Sequence, residues 1–311
     1  KYQRKINKFK MNHLLIAGGT GFIGCHLAAK IKKEGWKVTS VSLSKPKKYR
    51  RIKGVKYILV DLTQKKQIKK KFKDKYTHVV NLSGITQNLY SKKLRKKIFK
   101  SHFNGTKNLI NFFLNKKLKN FIQIGSSAEY GSAKSPLMER KKCKPTGMYG
   151  KAKLQATIFT LQSARKYNFP GNVLRLFQVY GPNQGYNRAI MQILNYCINK
   201  KKFPASDGKQ IRDFCFIDDV IRAIILTLKK NFSGKIINIA YGKGISMKKL
   251  IILIQKVAKG GKPQFGLFKT RDHENKKLVP SIKLANKLLK WRPRVDLEQG
   301  LEKTRKFIIK H

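Results

Sequence analysis

The chain has 311 residues, of which 41% are hydrophobic, so it can bury a large core. No stretch approaches the ~20 apolar residues of a membrane-spanning helix, and we expect no membrane span. The chain carries 72 Lys and Arg against 14 Asp and Glu, a formal net charge of +58, which would attract nucleic acid without a specific site. Because these basic residues are spread along the whole chain, we expect any nucleic-acid binding to be incidental.

The cysteines are scattered along the chain and form no C-x-x-C pattern: Cys25, Cys143, Cys197 and Cys215. This spacing is typical of reduced thiols in a cytoplasmic protein rather than of disulfides or zinc ligands. We therefore expect a cytoplasmic location and no metal site. Residues 1–10 are basic, and we expect them to form a poorly ordered arm rather than a secretory signal.

The first half of the chain alternates short apolar runs with basic, helix-like stretches. The apolar runs predict strands at 13–17, 37–43, 55–60, 78–82, 121–124 and 172–176. The stretches between them predict helices at 24–34, 63–72, 94–115 and 149–167. Strands that alternate with helices imply right-handed crossovers and an α/β fold with a doubly wound parallel sheet, covered on both faces.

After about residue 178 the pattern changes to short strands and turns. We predict helices and strands at 189–200 (helix), 214–219 (strand), 220–228 (helix), 236–240 (strand), 247–258 (helix) and 282–289 (helix). We expect residues 11–177 to form the main domain, to which later strands near 211–240 return. Residues 178–311 are expected to form a smaller α/β lobe that binds the substrate.

Three glycines directly follow the first predicted strand and open the first helix: Gly18, Gly21 and Gly24. This spacing lets the backbone turn sharply and approach a pyrophosphate, while the helix N-terminus points free N–H groups at the phosphates. In this position the pattern is typical of a Rossmann fold that binds NAD or NADP. The segment's predicted cofactor contacts are Gly18, Thr20, Gly21, Phe22, Ile23 and Gly24.

The end of the second strand is expected to contact the adenosine ribose of the cofactor. Ser42 and Ser44 lie there with no carboxylate that could bind a 2′-hydroxyl, and the basic segment 45–50 follows. A small hydroxyl beside cations suits a 2′-phosphate, which favours NADP slightly, although lysines are common throughout this chain and NAD stays open. The predicted contacts at this and the following strand ends are Ser44, Asp61, Leu62, Leu82, Ser83 and Gly84.

Tyr149 and Lys153 lie four positions apart, on one face of a predicted helix. A phenol alone is a poor acid–base catalyst at neutral pH, because its pKa is near ~10. A neighbouring ammonium and the positive nicotinamide ring favour the phenolate, and Lys153 can also hold the nicotinamide ribose. The segment 125–131 follows a predicted strand, and a serine hydroxyl there could donate to the same substrate oxygen.

Five motifs together resemble the extended short-chain dehydrogenase/reductases, the nucleotide-sugar epimerase/dehydratase group. In chain order they are Gly-Gly-Thr-Gly-Phe-Ile-Gly (18–24), Ser-Ser-Ala-Glu-Tyr-Gly (126–131), Tyr-Gly-Lys-Ala-Lys (149–153), Leu-Arg-Leu-Phe-Gln-Val-Tyr-Gly-Pro (174–182) and Arg-Asp-Phe-Cys-Phe-Ile-Asp-Asp-Val (212–220). The resemblance runs from about residue 11 to residue 301. It implies a nucleoside-diphosphate sugar as substrate, a homodimer, and a role in polysaccharide precursor synthesis.

The resemblance also implies roles for individual residues. Tyr149 matches the general acid/base, Lys153 its partner, and Ser126 the catalytic Ser or Thr four positions before the tyrosine of its motif. The implied substrate contacts are Ser127, Gln178, Arg212 and Arg271, the two arginines holding the diphosphate through their guanidinium groups.

The sequence departs from the family pattern at several positions. His102 lies where the family usually has Asn, and Gln178 replaces a common Asn. Glu129 lies where Val is frequent, and a similar segment with Glu occurs in some 4-ketosugar reductases. Dehydratases place an Asp-Glu pair at the positions of Ser127 and Ala128, so dehydration is disfavoured. We therefore expect NAD(P)-dependent hydride transfer, at C4 of the sugar, by a 4-ketoreductase or a 4-epimerase. The alternative is a non-catalytic family member that binds RNA or acts as a subunit.

Overall fold

The computed structural model describes residues 11–85, 91–267 and 275–310. The strands are β1 (His13–Ala17), β2 (Lys37–Ser42), β3 (Lys56–Leu59), β4 (His78–Asn81), β5 (Asn120–Ser126), β6 (Gly171–Leu176), β7 (Gln178–Tyr180), β8 (Lys202–Pro204), β9 (Ile211–Phe216), β10 (Ile236–Ile239), β11 (Gly244–Ser246), β12 (Lys262–Gln264) and β13 (Lys277–Leu278). The helices are α1 (Phe22–Lys33), α2 (Lys65–Lys71), α3 (Lys92–Phe99), α4 (Gly105–Phe113), α5 (Met148–Tyr167), α6 (Ala189–Ile198), α7 (Ile217–Leu228), α8 (Met247–Ala258), α9 (Lys283–Leu289) and α10 (Leu297–Lys310). The basic arm predicted at residues 1–10 lies outside the described residues.

Seven parallel strands form the main sheet in the order β10-β6-β5-β4-β1-β2-β3. This confirms the predicted doubly wound α/β fold. The chain runs outward from β1 through β2 and β3 on one side, and from β4 through β5 and β6 on the other. The crevice between the carboxyl ends of β1 and β4 is therefore the switch point at which such sheets bind ligands.

Alternate residues of β1 pack into two different cores. Leu14 and Ile16 belong to the larger buried cluster, together with Leu27 of α1. Leu15 belongs to the cluster on the other face, together with Leu109 of α4. A sheet buried on both faces explains why the strand is an unbroken apolar run instead of an alternating one.

The smaller lobe is built around β9. This strand pairs with β7 and β13 in parallel and with β11 antiparallel, while β8 and β12 form a separate pair. Within the described residues, no helix is long and apolar enough to cross a membrane.

Several helix or strand predictions differ from the structure. The single helix predicted at 94–115 is α3 and α4 joined by a π-helical turn, Lys100–Asn104, which carries the buried His102. The strand predicted at 214–219 ends at Phe216, and α7 begins at the next residue, with Asp218 and Asp219 in its first turn, where carboxylates favour a helix N-terminus. Helix α10 was not predicted, although Asp296 caps it by accepting the N–H of Gln299.

Candidate active site

The glycine-rich turn after β1 packs closely against the segment after β4 and leads into α1 without a side-chain cap. Gly18 has a φ of +79°, and a Cβ there would lie 2.8 Å from the carbonyl carbon of Leu82. A Cβ on Gly24 would lie 2.5 Å from the Gly18 oxygen, so only glycine allows the helix to pack this closely. Gly21 precedes the helix, and no side chain caps it. The open helix N-terminus fits an anionic phosphate.

The segment after β4 is held in place beside this turn by Asn81. Its amide nitrogen donates to Thr106 Oγ1 (2.9 Å) and Gln123 Oε1 (2.8 Å), and its Oδ1 accepts the N–H of Ser83 (3.1 Å). The predicted contacts Leu82, Ser83 and Gly84 therefore line the crevice between β1 and β4.

At the end of β2, Ser42 rather than Ser44 contacts the glycine-rich turn. The N–H of Thr20 donates to Ser42 Oγ at 3.3 Å, whereas the Ser44 side chain is exposed. Asp61 lies after β3, where its Oδ1 accepts the N–H of Thr63 (2.9 Å), and the neighbouring Leu62 is buried.

Tyr149 and Lys153 lie in the first two turns of α5, as predicted. Lys153 is 4% exposed, and its Nζ donates to the Ile124 carbonyl of β5 at 2.8 Å. The same Nζ lies 5.9 Å from the centre of the Tyr149 ring. The ammonium is thus buried beside the phenol and anchored to the sheet.

Ser126 ends β5 and begins a short 3-10 turn, Ser127–Glu129. Its Oγ accepts the N–H of Ala128 at 3.2 Å. A Cβ on Gly150 would lie 2.5 Å from the Ala128 oxygen, so the start of α5 packs directly on this turn. The fold therefore brings the elements that carry Ser126, Tyr149 and Lys153 into contact.

His102 adjoins Tyr149 from the π-helical turn. The two ring centres are 5.0 Å apart at an interplanar angle of 85°. His102 Nε2 lies 3.0 Å from the Ile85 carbonyl and must donate to it, because a carbonyl only accepts. Burial and the charge of Lys153 lower the pKa of His102 to about 3, so this imidazole is neutral. A Cβ on Gly84 would lie 2.0 Å from the ring, which leaves room only for glycine.

The predicted substrate contacts lie on different elements. Gln178 begins β7 and is exposed, and it pairs with Phe214 on β9. Arg212 lies on β9, where its buried side chain donates to the Ile211 carbonyl at 2.9 Å. Ser127 is 8% exposed and lies in the turn after Ser126. Arg271 lies outside the described residues.

Glu129 forms a buried network that our sequence reasoning missed. Its Oε1 accepts the N–H of Ser126 (2.8 Å), and its Oε2 accepts from Thr157 Oγ1 (2.9 Å) and Arg175 Nε (2.8 Å). A signal for it was present, because Ser126 followed three residues later by Glu129 is the spacing of a capping box.

The sequence profile of the NAD dependent epimerase/dehydratase family matches residues 14–240. The UDP-glucuronate 4-epimerase of Thermodesulfobacterium geofontis (strain OPF15) is 27% identical over 310 residues, covering 94% of this chain and 95% of that protein. The dTDP-D-glucose 4,6-dehydratase of Homo sapiens is 24% identical over 308 residues, covering 94% and 88%.

A solved structure shares the whole fold. The UDP-glucuronic acid 4-epimerase of Bacillus cereus, in complex with UDP-glucuronic acid and NAD, superposes with a TM-score of 0.85 at 26% identity, covering 96% of this chain and 99% of that one. The fold, the sequence profile and the relatives all indicate the same family. The chain belongs to the NAD-dependent epimerase/dehydratase family, the nucleotide-sugar enzymes of the extended short-chain dehydrogenase/reductases.

Proposed function

We propose that the protein transfers hydride at C4 of a nucleoside-diphosphate sugar, as a 4-epimerase or a 4-ketoreductase. The observation that carries this proposal is the position of Tyr149, which lies on α5 beside the buried Lys153 ammonium. Its neighbour Gly150 packs on the turn that begins at Ser126. NAD or NADP, when bound, supplies the hydride acceptor or donor.

Tyr149 moves the proton of the C4 hydroxyl. Lys153 Nζ lies 5.9 Å from the centre of the Tyr149 ring, so the acid/base works beside a buried positive charge. Ser126 donates to the same oxygen, because its Oγ already accepts the N–H of Ala128 while its hydroxyl proton is left to donate. His102 packs edge-on against the phenol and limits its movement.

Loss of water from the sugar is disfavoured by the residues after Ser126. Ser127 and Ala128 carry no carboxylate or other side chain that titrates near neutral pH, as the general acid and base of an elimination do. The next carboxylate, Glu129, is fully buried and already accepts hydrogen bonds from three donors. We therefore place the reaction with the epimerases and ketoreductases.

Product analysis tests this assignment. UDP-glucuronate, UDP-glucose and dTDP-glucose are incubated with the protein and NAD or NADP, and a 4-keto-6-deoxy sugar nucleotide with NADPH, and the products are identified by NMR. We expect a C4 epimer or a C4 alcohol, and a rate about a hundredfold to ten-thousandfold lower for Tyr149→Phe. A 4-keto-6-deoxy product from the wild type would contradict the proposal.

We propose further that the cofactor site prefers NADP. Ser42 and the following residues to position 50 include no carboxylate, while the side chains of Lys45, Lys47 and Lys48 are exposed beside the strand end. Such a site attracts a 2′-phosphate and lacks the acceptor that grips a 2′-hydroxyl.

Calorimetric titration with NADPH and NADH measures this preference. We expect tighter binding of NADPH by the wild type, and a reversal in Ser42→Asp because a carboxylate repels the phosphate and accepts from the free hydroxyl. Ser44→Asp is the matched control, and its effect should be smaller since Ser44 does not contact the glycine-rich turn. Retention of NAD by the purified wild type, detected by mass spectrometry after denaturation, would contradict the preference.

We also propose a homodimer formed through α5. Its outer face exposes Ile158, which is 36% exposed. Sedimentation velocity of the wild type and of Ile158→Glu tests this proposal, with a dimer expected only for the wild type.

A further inference from the structure

Glu129 joins the two elements that carry the reacting groups. Its carboxylate is 0% exposed and accepts the N–H of Ser126, the last residue of β5. It also accepts from Thr157, which lies on α5 one turn after Lys153 and two turns after Tyr149. One carboxylate therefore ties the strand end that carries the serine hydroxyl to the helix that carries the acid/base and its partner.

Arg175 fixes this carboxylate in place from the neighbouring strand. Its Nε lies 2.8 Å from Glu129 Oε2, and its guanidinium carbon lies 4.8 Å from the centre of the Tyr130 ring. Both members of the ion pair are nearly inaccessible, with side-chain exposures of 2% and 0%. Because a buried charge needs its partners, the carboxylate has little freedom to leave this position.

The backbone beside the ion pair is shaped around the carboxylate. A Cβ on Gly125 would lie 2.5 Å from Glu129 Oε1 and 3.0 Å from Arg175 Cγ. Residue 125 therefore has to be glycine for the Glu129 side chain to fold back onto Ser126. The relative position of the end of β5, the turn after it and α5 therefore depends on the Glu129 side chain.

We propose that Glu129 is a positioning residue that aligns the Ser126 hydroxyl with Tyr149 and Lys153, and that Thr157 is its contact on the catalytic helix. The inference rests on the proposed function, since it takes Ser126 as the donor to the sugar oxygen. A displacement of about 1 Å between such groups can slow catalysis about a hundredfold.

Two double variants separate alignment from stability. Glu129→Met/Arg175→Met removes both buried charges at similar volume, so no unpaired charge is left in the core. Glu129→Gln/Arg175→Met also removes both charges, but its amide can still accept from Ser126 N–H and donate to Thr157 Oγ1. Single-turnover hydride transfer, cofactor affinity and thermal midpoint are measured for each, with the nucleotide sugar that the wild type converts.

We expect the Met/Met variant to transfer hydride about tenfold to a hundredfold more slowly, with cofactor affinity unchanged. The Gln/Met variant should recover most of the rate, because its amide restores the link between strand and helix. Ser126→Ala and Tyr149→Phe are measured in parallel as tests of the proposed function itself.

Two single variants test the helix contact without touching the ion pair. Thr157→Val removes the hydroxyl that donates to Glu129, and we expect a slower transfer. Thr160→Val is the matched control, because Thr160 is equally buried on the same helix but donates to the Ala156 carbonyl of that helix. We expect the control to keep the wild-type rate.

The outcomes separate the two proposals. Wild-type rates in Met/Met and Thr157→Val, with a slow Ser126→Ala, would overturn the positioning role and leave the proposed function standing. Equal slowing of Met/Met and Gln/Met would also overturn it, because the charge rather than the hydrogen bonds would then matter. Wild-type rates in Ser126→Ala and Tyr149→Phe would overturn the proposed function, and the positioning role with it.

Discussion

At the scale of single residues, His102 links the segment after β4 to Tyr149, the proposed acid/base. Its ring donates to the Ile85 carbonyl just beyond Gly84 and packs edge-on against Tyr149. The imidazole is buried and its Nδ1 has no partner among the described residues, so a proton there would leave a charge in the core. This is the physical reason for the low pKa of His102.

Acid should therefore destabilise the protein through His102. Its pKa of about 3 in the folded state lies below the ordinary 6.5, so the unfolded chain binds the proton first. The contribution of His102 to the free energy of unfolding is fully present above about pH 6.5 and falls as the pH drops toward 3. By pH 5 the loss from this residue is about 2 kcal/mol.

Urea denaturation at pH 7 and pH 5 measures this loss. His102→Asn should lose less stability than the wild type over this interval. Other groups titrate in both proteins: burial lowers the pKa of His78 to about 4, which adds to the loss, and raises the pKa of Asp213 to about 7, which opposes it. An identical pH dependence in the two proteins would show that His102 is not the group responsible.

Single residues also show which contacts the sequence could predict and which it could not. The spacing of Tyr149 and Lys153 predicted their shared helix face, because the repeat of a helix is local. Ser44 stays a predicted cofactor contact, whereas the contact from Thr20 to Ser42 depends on how β1 and β2 are paired. The Arg175 partner of Glu129 comes from a separate strand, which no local pattern indicates.

At the scale of helices and strands, the site depends on how closely α5 approaches the turn after β5. Gly150 lies where the helix meets this turn, and a Cβ there would be 2.5 Å from a backbone oxygen of Ala128. Backbone cannot yield as a flexible side chain does. The helix start would have to move away from Ser126 to admit even a methyl group.

We expect Gly150→Ala to lower both stability and activity. The collision costs about 1–3 kcal/mol, which exceeds the gain in helix propensity of about 1 kcal/mol from replacing glycine by alanine. Thermal denaturation and the single-turnover rate measure the two effects. Gly147→Ala is the control, since a Cβ at Gly147 meets open space within 4 Å. Equal behaviour of the two variants would refute the close packing.

The sequence predicts the ends of a helix correctly only where residues close in the chain determine them. The π-helical turn at Lys100–Asn104 interrupts a continuous helical pattern and carries the buried His102, which packs against Gly84 and Tyr149. The predicted start of α7 comes too late because one apolar run, residues 214–217, crosses the boundary between β9 and α7.

At the scale of the whole molecule, the order of strands and helices was predictable because short apolar runs alternate with helix-like stretches along the chain. The handedness of the crossover connections between parallel strands is also fixed. The pairing inside the smaller lobe was not, since its strands are two to six residues long and join distant parts of the chain. The net charge of +58 affects neither the order of these elements nor their pairing, because charged side chains cover the surface and the cores are apolar.

The proposed reaction of this protein is hydride transfer between a nicotinamide cofactor and a nucleotide sugar. Stopped-flow absorbance at 340 nm measures it directly, with the NAD- or NADP-loaded protein mixed with UDP-glucuronate or UDP-glucose, and the NADPH-loaded protein mixed with a 4-keto-6-deoxy sugar nucleotide. We predict a rise or a fall in absorbance in one of these reactions, strongly slowed in Tyr149→Phe. No absorbance change in any of them together with no C4 epimer among the products, or an equal rate in the variant, would overturn the proposed hydride transfer.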